Sequence, residues 1–396
     1  MLTGVQVLAL GDPPASYCSR LLTDLGADVV LVEPPCGTVR RRWLPYIETA
    51  GGQRLSASFA YYHRGEKSIT LNLDTADGRA LFHRLLDRVD VLVEGGAPRR
   101  LVRWGLQYAQ WRERHPEVVM ASITPWGQQG ERKDWRATDA VAFAAGGLMS
   151  VSGRPDLEPV AAPGEQAQVV AGTHAVMGVL TALWARRRLG RGQYVDVSMQ
   201  AALAAQENLI SAAGGEGRAT QRSGSQHRVA TPGRVYRCRD GYVHFFVSPA
   251  QKGAWERLVE WMGNPGVLSG PEWKAGAYRR AHAEFVDDVV GAWVRGFSKA
   301  ELYEEAQRRK IPCAPVNRVS DYAHDPQAVA RGFIPEAVGN DEKTLSFPAT
   351  PWMVNQSRPA GITAVPTLGQ DNDAILGGWL DLTAAERERL RAWGAL

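Results

Sequence analysis

Apolar and polar positions alternate in two rhythms along the first half of the chain. Short β-branched runs recur between stretches of helical spacing. Val5–Leu10 reads as a buried strand. Tyr17–Leu25 reads as a helix, and Gly26 suits the left-handed conformation that closes one. Asp28–Glu33 is a second strand, ended by Pro34-Pro35. Ser68–Leu73 alternates with the period of a strand, and Thr75–Asp87 gathers Leu81, Leu85 and Leu86 on one helical face. Val89–Val93 and Val118–Ile123 are further strands. Asp139–Met149 predicts a helix around Gly146-Gly147. Val169–Arg188 predicts a long apolar helix whose Arg186-Arg187-Arg188 end complements the C-terminal dipole. Tyr194–Val197 predicts a strand and Ala201–Ser211 a helix. Strands alternating with helices predict an α/β fold, its parallel sheet covered on both faces.

The rhythm changes at Gly214–Thr231, rich in Gly, Ser, Arg and Gln, which reads as a linker or mobile loop. Tyr236–Val247 predicts a hairpin turning at Asp240-Gly241. Trp255–Arg309 is mostly helical in pattern, and Lys310–Pro315 breaks it. Asp325–Ala360 has strand-like pieces among many prolines. Thr383–Ala392 predicts a charged helix, with Thr383 and Glu386 spaced as a capping box.

Composition narrows the function classes. The chain has 396 residues, more than a single core usually organises, so two domains are expected. The net charge of +4 is too small to argue for nucleic acid. No apolar run approaches the ~20 residues of a membrane span, and Met1–Leu10 carries neither a basic stretch nor a cleavage site, so no signal peptide is expected. Cys18, Cys36, Cys238 and Cys313 are scattered, which fits a reducing cytoplasm better than a disulfide framework or a zinc site. No GxGxxG follows a strand and no His/Cys cluster appears, so no metal, nicotinamide or flavin is expected.

Several stretches together resemble the family III CoA-transferases, the CaiB/BaiF family. They are Leu22–Glu33 (LLTDLGADVVLVE from Leu21), Lys67–Gly78 (KSITLNLDTADG), Asp90–Glu94 (DVLVE), Gly146–Gly153 (GGLMSVSG), Gly190–Ser198 (GRGQYVDVS), Ile311–Asn317 (IPCAPVN) and Asp325–Gly332 (DPQAVARG), with Leu368-Gly369 late in the chain. The order is kept over most of the length, and the match is weakest between Gly214 and Val290. The resemblance implies a large Rossmann-like domain from both chain ends (1–213 and 326–396), a small domain (232–325) and a linker (214–231). It also implies an interlocked dimer, a cytoplasmic location and acyl-CoA thioesters as substrates.

In that family an enzyme carboxylate attacks the thioester, passes through a mixed anhydride and becomes an enzyme–CoA thioester. The nucleophile is an Asp in a frame like ADxxAG. The frame here is Ala167-Gln168-Val169-Val170-Ala171-Gly172, so Gln168 holds the Asp position, and an amide is a poor nucleophile. Glu165 is a candidate substitute, although three residues of displacement would put its carboxylate several ångströms away. Its alternative role is to meet the N–H groups at the helix start. Racemases of the same superfamily add a His where Thr138 stands before Asp139, which speaks against that reaction. His174 is a weaker candidate. For CoA, the resemblance points to Arg40 or Arg41, Leu71, Arg103 and Arg136. Asp74 departs from a common Lys, and Gly95-Gly96 departs from Asn-Phe. No glycine-rich loop appears between Val243 and Gly266, where Ser248–Gln251 stands. Trp126, Trp135 and Trp255 are candidates to line an acyl site.

Four readings follow. The chain moves CoA between carboxylic acids as a subunit beside an Asp-bearing homologue, which some family members use. It does so as a homodimer through Glu165. It catalyses a racemase-, lyase- or hydratase-type step on acyl-CoA. Or it binds acyl-CoA without catalysis.

Overall fold

The computed structural model describes residues 1–48, 52, 54–206, 221–334, 347–358 and 364–396. The chain divides into two compact units, Met1–Met149 with Ala161–Arg218 and Gln327–Leu396, and Ser150–Val160 with Ala219–Pro326.

The first unit is built on strands β1 (Gln6–Leu10), β2 (Asp28–Glu33), β5 (Lys67–Thr70), β6 (Val91–Glu94), β7 (Val119–Thr124) and β8 (Tyr194–Ser198). They form a six-stranded sheet in the order β5-β2-β1-β6-β7-β8, parallel throughout. Between β2 and β5 lies a small antiparallel pair, β3 (Tyr46–Glu48) and β4 (Arg54–Ser56). To this unit belong helices α1 (Ser16–Asp24), α2 (Ala57–His63), α3 (Ala76–Leu86), α4 (Pro98–Trp104), α5 (Tyr108–Trp111), α6 (Asp139–Ala145), α7 (Gln166–Leu189) and α8 (Met199–Ala204), and the predicted C-terminal helix Ala384–Ala392, capped by Thr383 with Glu386 as a capping box.

Successive side chains of a strand point to opposite faces, and the strands sort accordingly. Val7, Ala9, Val29, Val91, Val93, Val119 and Ala121 join a core with α1, α6, α7 and α8. Leu8, Leu10, Val30, Val32, Leu92 and Met120 join another with α3, Leu101, Trp111, Ile375, Leu376 and Leu396. The chain runs outward from β1 to β2 and β5, then returns to β6 on the other side of β1. This reversal leaves a crevice beyond the carboxyl ends of the strands, the usual ligand position in such sheets. The outer strand β5 is covered: the Ser68 and Thr70 N–H groups donate to Asp371 Oδ2 and Asn372 Oδ1, both at 2.8 Å, which blunts a sheet edge.

The six predicted strands of this sheet are present within three residues of their expected ends. The helix expected over Asp139–Met149 stops at Ala145, because Gly147 turns to φ +90°. α7 begins at Gln166, three residues before the expected start, and closes on Gly190 at φ +64°. Contrary to the sequence expectation, α7 has the length and apolar composition of a membrane span. Its buried residues Ala171, Ala175, Val179 and Ala182 pack into the sheet core, which accounts for that composition. Of the helix expected over Ala201–Ser211, residues 207–211 lie outside the described residues. The pair β3–β4 and helices α2, α4 and α5 were not expected.

The second unit holds a three-stranded antiparallel sheet of β9 (Gly233–Cys238), β10 (Gly241–Phe246) and β11 (Cys313–Pro315), in the order β11-β10-β9. The predicted hairpin is there, with Gly241 opposite Cys238. The predicted helical stretch divides into Ala254–Trp261, Gly276–Ala281, Ala283–Val294 and Lys299–Arg308. Tyr236, Phe245, Trp255, Leu258, Val290 and Leu302 form the core. Of the expected linker, residues 214–220 lie outside the described residues. Arg222 donates to the carbonyls of Ser150, Arg154 and Leu157. In the stretch expected to be strand-like, residues 335–346, 359 and 360 lie outside the described residues; the described remainder has one isolated bridge, Val354–Ser357.

Candidate active site

Three consecutive arginines after β2 point three ways, because Val39–Arg42 is a single tight helical turn capped by the Thr38 hydroxyl. Arg40 turns inward, Arg41 turns to β2 and Arg42 faces the crevice.

Arg40 is fully buried, at 0% exposure. Its guanidinium lies 4.0 Å from the Tyr62 ring centroid and 4.5 Å from that of Trp43. Nη1 donates to Glu165 Oε2 at 2.9 Å and to Ser58 Oγ at 2.7 Å. Nη2 donates to Glu165 Oε1 at 3.2 Å, Gln168 Oε1 at 3.1 Å and the Pro13 carbonyl at 3.3 Å. Gln168 Nε2 in turn donates to Glu165 Oε1 at 3.1 Å. The amide orientation of Gln168 is therefore set at both ends. Ser58 and Tyr62 come from α2, which the sequence reading passed over. The Tyr62 phenol is pushed up by burial and by the Glu165 carboxylate that it meets.

Two expectations about Glu165 need correcting. Its carboxylate is not remote from Gln168, where the resemblance expects the nucleophile, but in contact with that side chain. Glu165 is the N-cap of α7 and Gln168 follows three residues on, a spacing that brings the two side chains together. Nor does Glu165 meet the helix N–H groups. Asp139 does: its Oδ1 accepts from Gln168 N at 2.8 Å, and the Ala167 and Gln166 N–H groups bond to it as well. Burial nonetheless holds the Asp139 carboxyl above its ordinary range, against those N–H bonds and with help from the nearby Glu165 charge. Asp139 follows Thr138, which caps α6 through the Val141 N–H. A D-A-V-A start to α6 gave no sign that its first residue caps a different helix.

His174 stands apart from this cluster. Six residues beyond Gln168, it is turned about 240° around the helix. It is exposed, and its Nδ1 lies 3.0 Å from the Val170 carbonyl of the preceding turn.

The crevice beyond β1, β2 and β5 holds about 250 Å³ and is lined by Asp12, Thr38, Arg42, Leu71, Asp74, Arg100 and Trp104, among others. Of the residues expected to bind CoA, Leu71 lines it. Arg41 does not: it forks onto Glu33 at 2.7 Å through Nε and Nη2, reaches the Pro366 carbonyl and lies over the Phe59 ring. Arg103 pairs with Asp74 at 2.9 Å, and Trp104 Nε1 donates to the same carboxylate at 2.8 Å. The departure at Asp74 thus anchors the crevice's outer wall. Arg136 is exposed. Arg42 and Arg100 line the crevice and were not singled out.

Glu94 ends β6 fully buried. It accepts from Gly96 N at 2.8 Å and Gln128 Nε2 at 3.3 Å. Burial pushes its carboxyl up to about 8, and Asp12 adds to the rise. Trp126 donates from Nε1 to the Trp135 carbonyl, Trp135 is exposed, and Trp255 belongs to the core of the second unit. Ser248–Gln251 is a tight turn closed by Gln251 N on the Ser248 carbonyl. Among the described residues, no three His, Cys, Asp or Glu side chains gather as metal ligands do.

The pattern of CoA-transferase family III matches residues 2–372. Succinate–glutarate CoA-transferase of Agrobacterium fabrum is 30% identical over 387 residues, covering 95% of this chain and 94% of that one. A subunit of succinyl-CoA:(R)-benzylsuccinate CoA-transferase of Thauera aromatica is 30% identical over 373 residues, covering 91% and 90%. The crystal structure of a CaiB/BaiF family protein from Brucella suis superposes with a TM-score of 0.86 at 26% identity, covering 96% of this chain and 99% of that one. With the family pattern matched over nearly its whole length and a relative 30% identical across 95% of it, the chain belongs to CoA-transferase family III.

Proposed function

We propose that this chain binds acyl-CoA thioesters in the sheet-edge crevice and serves CoA transfer between carboxylic acids as a subunit whose nucleophilic carboxylate comes from an Asp-bearing homologue. The observation that carries this is the commitment of the Glu165 and Gln168 side chains at the start of α7. Gln168 Oε1 and Nε2 are bonded to Arg40 and Glu165, and both Glu165 oxygens are held by the Arg40 fork. An amide forms no acyl anhydride, and a carboxylate saturated by charge-assisted bonds is a weak nucleophile. In this reading the partner's carboxylate attacks the thioester carbonyl and expels the CoA thiolate. The thiolate returns to the resulting anhydride, frees the first acid and leaves an enzyme thioester. The acceptor acid repeats these steps in reverse. The Arg40 cluster positions the helix start and keeps this wall of the site closed to water.

The name of the Thauera relative, a subunit of such a transferase, supports the assembly. We place the protein in the cytoplasm, as an interlocked dimer with itself or with that homologue. The test is turnover from succinyl-CoA to a panel of acids. The chain alone gives no transfer, and addition of an Asp-bearing homologue gives at least ten times the rate of either alone. Full activity of the chain by itself would overturn the reading.

A second reading has one observation in its favour. Glu165 is 22% exposed and touches the position of the family's Asp, so release from Arg40 would make it a nucleophile in its own right. That predicts transfer by the chain alone, abolished in Glu165→Gln.

A further inference from the structure

We infer that Arg100 is a phosphate-recognising residue of the crevice, seated there by the glycine at position 96; this rests on the proposed acyl-CoA function. The Arg100 guanidinium occupies the space directly over Gly96: a Cβ built on that glycine overlaps Nη2, Cζ and Nε. Gly95 is equally constrained, since a Cβ there would come within 2.8 Å of Ala15 N. The Gly95-Gly96 pair therefore brings the β6–α4 turn against Pro14-Ala15, just before α1, and leaves over Gly96 a slot that the Arg100 side chain fills.

Arg100 fills it from the first turn of α4. Its guanidinium lies 4.7 Å from the Trp104 ring centroid and ion-pairs with Asp12 through Nη2. Nε is buried and has no partner among the described residues. The side chain is still 33% exposed and lines the crevice with Arg42. A planar fork held at one corner by Asp12 and backed by an indole is preorganised for bidentate bonding at its remaining edge. Phosphate oxygens are its usual partners. With Asp74 already committed to Arg103 and Trp104, Arg100 and Arg42 are, among the described residues, the cations that line this space. The ligand chemistry is a phosphate ester, and CoA carries two sources, its diphosphate and its 3′-phosphate.

Calorimetric titration of the full chain with CoA, dephospho-CoA and pantetheine separates them. Arg100→Gln keeps a donor for Asp12 while removing the charge. Gly96→Ala leaves Arg100 in the sequence but expels its head from the slot. Both variants should weaken CoA binding by roughly tenfold to a hundredfold, the range of a bond to a charged group. The double variant should lose no more than either. Loss for CoA but not dephospho-CoA assigns the 3′-phosphate. Equal loss for both, with none for pantetheine, assigns the diphosphate. Affinity for CoA within twofold of wild type in both variants, or an equal loss for pantetheine, overturns the inference. A wild-type chain that binds no CoA removes the proposed function with it, whereas wild-type binding insensitive to both variants removes this inference alone. Asp12→Asn controls for a purely structural pair: matching melting-temperature losses in Asp12→Asn and Arg100→Gln, with CoA affinity unchanged in Arg100→Gln, would contradict the assignment.

Discussion

Arg40 is buried on all sides, and one carboxylate balances its charge. Removing that carboxylate strands a cation in a low-dielectric site, a change that typically costs about 3–5 kcal/mol. Glu165→Gln should therefore lower stability by roughly 3 kcal/mol in denaturant titration, and Arg40→Met should partly restore it in the double variant. Additive losses would mean the two residues do not act as a pair. Glu94 makes a second prediction. Its carboxyl is raised from an ordinary 4.5 to about 8, so the folded state binds a proton that the unfolded state releases. Its contribution to stability is complete below the unfolded value and is lost as pH rises through about 8. Glu94→Gln should then gain in melting temperature over wild type between pH 5 and pH 9, with the gap widening as pH rises. Parallel curves would contradict this.

At the scale of elements, α7 shows what its neighbours contribute. Its sequence signals a helix from the apolar run onward. Its true start depends on Asp139, twenty-nine positions earlier in the bond to Gln168 N, and local pattern carries no trace of that pairing. Asp139→Ala should cost about 1–2 kcal/mol, the range for losing an N-cap, and should fray the turn bearing Gln168. Amide exchange at Ala167 and Gln168 reads this directly; unchanged protection would sink it. The six strands of the sheet were legible because period-two alternation and flanking turn residues mark each one independently. The short pieces between β2 and β5 were not. Ala57–His63 is helical through its Ser56 cap and its packing, and a seven-residue segment has too few turns for periodicity to show. The same gap hid Ser58 and Tyr62. Arg40 was expected as a CoA contact, yet it is buried against Glu165 and Gln168 and does not line the crevice; the tight turn that separates Arg40, Arg41 and Arg42 is a matter of geometry and not of residue type.

At the scale of the molecule, a fold of CoA-transferase family III carries the Gln168 amide near the start of α7, with the Glu165 carboxylate beside it bonded to Arg40. The resemblance puts Gln168 at the family's Asp position, and the structure adds that Glu165 and Arg40 close around its side chain. If the chain pairs with itself, the purified protein should scatter light as a dimer; a monomer at micromolar concentration that becomes a dimer on adding the Asp-bearing homologue would assign the pairing to that homologue instead.

The most direct test of the missing nucleophile is intact-protein mass spectrometry of the chain incubated with succinyl-CoA, compared with Gln168→Asp. The account predicts no covalent CoA adduct on wild type and an adduct mapping to position 168 in the variant. An adduct on Glu165 of the wild-type chain would contradict it.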